Sequence, residues 1–175
     1  MNNKYMILFA VGNDRPGIVE EVSAFLYDRN ANIEDSRMAA LGGRFSIMCL
    51  FSCSPEELEK INSGLDILDS QGIKTSLHEA DDPKNLKSEA FLPLFLEVVS
   101  MDHPGIVQKV VGILKKHEVT ITTLDTVVKS MPHSGAPLFD LSLKADVPAK
   151  AVIGKIKEEL NELAFEMNLD LKYTN

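Results

Sequence analysis

The residues with a spacing that suggests chemistry are Asp14-Arg15-Pro16-Gly17-Ile18-Val19, because the pattern returns 88 positions later as Asp102-His103-Pro104-Gly105-Ile106-Val107. Each copy follows an apolar run and opens an amphipathic one. Pro suits the first turn of a helix, where its missing N–H would have had no intrahelical partner. An Asp two residues before it is placed to accept from free amides of that turn. Gly has no Cβ and lets the backbone come close to a bound group. A helix start with exposed N–H groups and no bulky side chain is a site for a small anion such as a carboxylate. The expectation is therefore that Pro16 and Pro104 begin helices, that Asp14 and Asp102 cap them, and that the amides at Gly17-Ile18 receive an anion. A bare helix-start device would give the same pattern.

Other chemistry finds little support. There is no G-x-S-x-G, no phosphate-binding G-x-x-x-x-G-K-[ST] and no G-x-G-x-x-G. Asp14 and Asp102 are expected to lie too far apart for an acid/base pair. Cys49 and Cys53 lie in or beside one strand and read as core thiols. His78, His103, His117 and His133 lack zinc spacing, and of them His103 lies in the second loop. No residue is assigned to catalysis or to a metal, no cofactor is expected, and the chain is not expected to be an enzyme.

The elements that must carry the two loops follow from periodicity. Tyr5 to Val11 is a continuous apolar run of strand length. From Pro16 to about Arg29, Ile18, Val19, Val22, Phe25 and Leu26 fall on one helical face. Ile33 to Ala40 and Phe45 to Ser52 read as strands joined at Gly42-Gly43. Ser54-Pro55 opens a helix that Gly72 stops, and Ile73 to His78 closes the set. The second half repeats the order with Phe91–Ser100, Pro104–Lys116, Thr120–Lys129, Leu138–Ala145, a helix from Val147-Pro148 and Leu169–Tyr173, with a longer hairpin connection at Ser130–Pro137. The fold class is thus α+β: two ferredoxin-like β-α-β-β-α-β domains in tandem, each an antiparallel four-stranded sheet with both helices on one face. The boundaries expected are 1–80 and 90–175, with the polar stretch 81–89 as linker. Apolar residues on both faces of the first strands, such as Ile7 and Phe9 beside Met6 and Leu8, imply that the bare face is partly covered.

Composition narrows the partners. The 175 residues carry 18 Lys and Arg against 26 Asp and Glu, a net charge of −8, which argues against direct binding to nucleic acid or to an anionic membrane. No apolar run approaches a membrane span of about 20 residues, and Met1-Asn2-Asn3-Lys4 leads into a strand without a signal-peptide layout. A cytoplasmic location is expected.

On the two loops, the helix phase and the repeat, the chain resembles a tandem of ACT domains, and among these the glycine cleavage system transcriptional repressor family. Its first copy also looks like the N-terminal ACT segment of formyltetrahydrofolate deformylases. The resemblance implies a small ligand, often an amino acid, held between paired ACT units by the loop after the first strand. Carried over by position, the ligand residues are Asn13, Asp14, Arg15, Pro16, Gly17 and Ile18 in the first unit, and Asp102, His103, Pro104, Gly105 and Ile106 in the second. The turn into the second strand adds Asn32 and Ile33, and Thr120 and Ile121. Arg15 stands where the second loop has His103, and Asn13 where it has Met101, so the first loop is the favoured site. The function implied is amino-acid-dependent regulation, of transcription through a DNA-binding protein partner, by a homodimer that responds to a small amino acid such as glycine. A regulatory subunit of a metabolic enzyme, or an ACT pair that binds nothing, are the alternatives.

Overall fold

A computed structural model describes residues 3–85, 90–131 and 135–174. The chain divides into two compact units, residues 1–87 and 88–175. The first runs β1 (Lys4–Asn13), α1 (Ile18–Tyr27), β2 (Asn32–Leu41), β3 (Arg44–Cys53), α2 (Pro55–Ser70) and β4 (Lys74–Ala80). The second runs β5 (Phe91–Met101), α3 (Ile106–Lys116), β6 (Thr120–Ser130), β7 (Pro137–Pro148), α4 (Ile153–Met167) and β8 (Asp170–Thr174). Each unit is a four-stranded antiparallel sheet, in the order β2-β3-β1-β4 and β6-β7-β5-β8, so β2 and β6 are edges. This is the β-α-β-β-α-β architecture expected. Of the 81–89 stretch, Pro83–Asn85 forms a 3-10 turn and 86–89 lie outside the described residues. So do 132–134 of the long hairpin connection, and with them His133.

The helices cover one face of each sheet. In the first unit Met6, Leu8 and Ala10 of β1 meet Ile18, Val22, Phe25 and Leu26 of α1 and Ile61 and Leu68 of α2. In the second, Leu94, Leu96 and Val98 meet Ile106, Val110 and Leu114 of α3 and Ile156, Leu160 and Leu163 of α4. Burial alternates along β1 and β5, as a two-faced sheet requires. The side away from the helices differs between units. On β1 it carries Ile7 and Phe9, opposite Leu50 and Met48 of β3, and Phe9 meets the His78 ring edge-on at 5.4 Å. On β5 it carries Glu97 opposite Ser142 and Lys172, and Phe95 opposite Lys144. Both first strands are thus apolar on the open side as well, β5 through Phe95 and Val99, but in the second unit their partners on β7 are Lys144 and Asp140, where the first unit has Met48 and Leu50.

Element ends depart from the sequence reading in three informative places. The α2 start is as expected: Ser54 accepts from the Glu57 amide at 3.3 Å and Glu57 accepts from the Ser54 amide at 2.7 Å, a reciprocal cap. The α1 and α3 starts are not, because Pro16 and Pro104 lie outside the helices, which begin at Ile18 and Ile106. Val147-Pro148 does not open α4 either: β7 continues through Pro148, which pairs with Phe91, and the helix begins at Ile153. Pro at the end of a strand keeps its fixed φ without breaking a central ladder bond. Cys49 and Cys53 are free and buried, and burial, with a smaller push from Asp35, takes the Cys49 thiol up to about 11. No helix among the described residues is long and apolar enough to cross a membrane.

Candidate functional site

In the first loop, Pro16 and Gly17 form a reverse turn. The Ile18 amide donates to the Arg15 carbonyl at 3.4 Å, and Gly17 takes φ 91°, ψ −12°. Those angles belong to the third position of a type II turn, which favours Gly, with Pro preset for the second. Gly17 is also the helix cap, and no side chain caps α1. The expected capping role of Asp14 is therefore not made. Instead the Asp14 backbone amide donates to the Gly43 carbonyl at 3.1 Å, which ties the loop to the β2–β3 hairpin. Asn13 closes β1 and accepts from the Arg44 guanidinium at 2.6 Å. The second loop copies the backbone: Gly105 has φ 99°, ψ −8°, and the Asp102 amide donates to the Pro137 carbonyl at 3.1 Å. Ile18 and Ile106 are buried beneath their loops and anchor them to the cores.

What the loops offer a ligand is set by amides and by one ion pair. Among the described residues, the amides of Gly17, Val19 and Glu20 donate to no protein acceptor, whereas that of Ile18, also expected to be free, is engaged by Arg15. Arg15 forms a two-pronged pair with Glu21 of α1, at 2.5 and 2.7 Å. The Arg15 hydrogen bonds hold the Glu21 carboxyl below the ordinary glutamate range, and Glu21 raises Arg15 in return. A Glu21 oxygen lies 3.7 Å from where a Cβ on residue 17 would sit, so this carboxylate is seated beside the turn. Residues from Asp14 to Glu20, with Ser23 and Phe45, line an open hollow of about 580 Å³. The sequence places Glu21 in the first turns of the helix but does not mark it as a site residue, since a six-residue separation from Arg15 is not a helical pairing distance.

Among the described residues the second loop has no such pair. His103 replaces Arg15 and turns its ring toward the far end of α4, with Nε2 3.4 Å from the Met167 carbonyl. Lys109 stands at the position of Glu21 in the repeat. The hollow beside this loop, about 620 Å³, is lined by Met101, His103 and the α4 end from Ala164 to Asp170 rather than by the helix start.

Asn32 and Ile33, and Thr120 and Ile121, are not brought to their loops within a unit. Asn32 pairs with Ser52, which pairs with Tyr5 at the start of β1, whereas Asn13 lies at its other end, beside Arg44 and Leu41. Thr120 and Ile121 likewise pair with Asp146 and Ala145, away from Met101. At that far end of the first unit, Ser52 and Asn32 donate to Glu34 at 2.6 and 3.0 Å and hold its carboxyl below the usual range. Among the described residues no group of three or more His, Cys, Asp or Glu side chains is placed to hold a metal ion.

The family model for the ACT domain matches residues 4–78. The chain is 26% identical over 166 residues to the glycine cleavage system transcriptional repressor of Escherichia coli K12, covering 94% of this chain and 86% of that one. It is 34% identical over 73 residues, 81% of the relative's length and 35% of its own, to a UPF0237 protein of Methanopyrus kandleri. Its fold superposes on the crystal structure of an unknown protein from Galdieria sulphuraria with a TM-score of 0.84 and 27% identity, over 98% of each chain. The first unit thus matches the ACT-domain family, and the second repeats its strand order and Pro-Gly loop, so that the chain is a tandem of two ACT-like units.

Proposed function

We propose that this protein is a non-enzymatic regulator that binds a small amino acid, glycine being the first to try, at the loop Asn13–Ile18 and passes the signal on through protein contacts. The observation that carries this reading is the Glu21 carboxylate seated on Arg15 beside Gly17. A carboxylate is already held at this turn, and the amides of Gly17, Val19 and Glu20, which have no protein acceptor among the described residues, are available to a second one. The ligand's carboxylate takes those amides and competes with Glu21 for Arg15. Its ammonium goes to the exposed Asp14 carboxylate and to the Asn13 side-chain oxygen.

The positions at the start of β2 join the site through a second copy of the chain. β2 is an edge strand. Two β2 edges paired antiparallel place the Asn32 of one copy beside the Leu41 end of the other, and Leu41 is opposite Arg44, the partner of Asn13. Binding at such a junction biases how the copies pair, by no more than the ligand's difference in affinity between the arrangements. The similarity to the E. coli repressor supports a transcriptional output through a DNA-binding partner, and the charge of −8 supports a protein rather than DNA as the direct contact.

Isothermal titration of the intact protein with single amino acids, with sedimentation in parallel, tests the reading. Saturable heat with at least one amino acid is expected, with a shift in the association state. No heat and no thermal stabilisation with any of the twenty removes the ligand role.

A further inference from the structure

A second surface, on the other unit, presents a bare aromatic side chain. Phe165 of α4 is 91% exposed. It projects from the side opposite Ile156, Leu160 and Leu163, which face the core. Two hollows flank it. One, of about 740 Å³, runs along α4 past Gly154, Glu158 and Glu162; the other is the one that reaches Met101, His103 and Asp170. Gly154 leaves its end of the face open, since a Cβ there would meet nothing within 4 Å.

In the hollow beside the ring three glutamates, Glu158, Glu162 and Glu166, stand with a single cation, Lys157. Glu158, Glu162 and Glu166 recur every four residues, on one side of the helix, and among the described residues none has an ion partner. Like charges at that spacing work against the helix. Glu166 adds to this, because it sits in a last turn that holds no basic residue, where the dipole favours a cation. The nearby cations are turned elsewhere: Lys157 lies over the Tyr173 ring at 4.7 Å, and Lys116 holds Glu159 at 2.9 Å. Lys155 lies on the glutamate side too, but in the first turn, at the other end of the helix from Phe165. A bare aromatic face ringed by acceptors, at the negative end of a helix, is complementary to a cation.

We propose that the outer face of α4, centred on Phe165, is a docking surface for a basic segment of a partner protein, which lays a Lys or Arg side chain on the Phe165 ring between Glu162 and Glu166. The face from Gly154 to Glu166 is about 18 Å long, a span that suits two or three turns of a helix rather than a free amine. A second copy of this face is the wrong occupant, because an isologous contact would set glutamates against glutamates. This inference rests on the reading that the protein acts through protein contacts and not on the amino-acid loop, so the titration described above can fail without touching it.

The test uses a fluorescein-labelled helical peptide with Arg at every fourth position and Leu between, followed by anisotropy against the intact protein. Its Glu-for-Arg counterpart is the control. Saturable, salt-sensitive binding of the Arg peptide alone is expected. Phe165→Ala should weaken it roughly tenfold or more, and Glu162→Gln with Glu166→Gln several-fold, with a smaller salt slope. The pair Glu56→Gln and Glu59→Gln, on α2, should leave it unchanged. Because Phe165 is solvated, its replacement should not move the thermal midpoint. Equal binding by wild type and Phe165→Ala, equal loss from the α2 pair, or a dimer that Phe165→Ala dissociates would each overturn the proposal.

Discussion

The two Pro-Gly loops share one backbone and use it for different ends. Gly17 and Gly105 adopt nearly the same left-handed angles, and Asp14 and Asp102 both tie their loops to a hairpin through an amide. The side chains then part. Arg15 is held by Glu21 across the helix start, whereas His103 reaches the opposite way, to the last carbonyls of α4. At the two places where the first loop has Asn13 and Glu21 the second has Met101 and Lys109. A turn whose angles are fixed by Pro and Gly survives duplication because no side chain is needed to make it. The residues around it are then free to diverge, so one copy holds the Glu21 carboxylate of its own helix and the other reaches a helix end.

The largest effect expected is from Gly17→Val set against Gly105→Val. Both force a β-branched residue to positive φ, at a cost of roughly 1–3 kcal/mol each, which urea unfolding reads. Only Gly17→Val should also abolish amino-acid binding in titration. If Gly105→Val abolishes it as well, the second loop is a site of the same kind and the contrast fails. Next in size is Arg15→His, which gives the first loop the second loop's residue. It removes a charge-assisted contact and should weaken binding roughly tenfold or more. Unchanged affinity would leave the backbone amides as the whole receptor.

How far these loops could be read from the chain alone is itself instructive. The order of elements was legible because the 88-residue repeat had to mean the same thing twice. The position of Pro16 was not. Pro fits the first turn of a helix and the second position of a type II turn equally well, and the choice depends on φ at Gly17, which L residues rarely adopt but Gly takes freely. The Arg15–Glu21 pair was invisible for the same reason: only after the chain turns at Gly17 do residues six apart meet. Phe165 went unremarked because a single apolar residue on a polar face carries no period. The apolar residues on both sides of β1 and β5 are legible, but their partners are not, since a run such as Leu94-Phe95-Leu96 does not say that Phe95 lies opposite Lys144.

A smaller change in the opposite direction is expected of Glu21→Gln. If the Glu21 carboxylate competes for Arg15, the receptor is competent only in the fraction of molecules where it is released, and apparent affinity is reduced by that fraction. Neutralising Glu21 should tighten amino-acid binding, by roughly two- to tenfold, while Lys109→Gln in the second unit should do nothing. Weaker binding to Glu21→Gln would instead make Glu21 a direct partner of the ligand's ammonium.

The smallest effect is in the acid limb of stability, and it separates the loops without any ligand. Arg15 lowers the Glu21 pKa in the folded chain. The unfolded value is about 4.3. A depressed carboxyl contributes stability that is full above its unfolded pKa and fades as pH falls through its folded one. The thermal midpoint of wild type should therefore exceed that of Glu21→Gln by a constant margin above about pH 5, and the two should converge as pH falls below 4. The margin should also shrink with salt, because the pair is only partly shielded from solvent. Lys109→Gln should show no such convergence, since the second loop has no carboxylate on its cation. A margin for Glu21→Gln that stays flat from pH 7 to pH 3 would mean that the pair is absent in solution, and the two loops would then differ in sequence but not in what they hold.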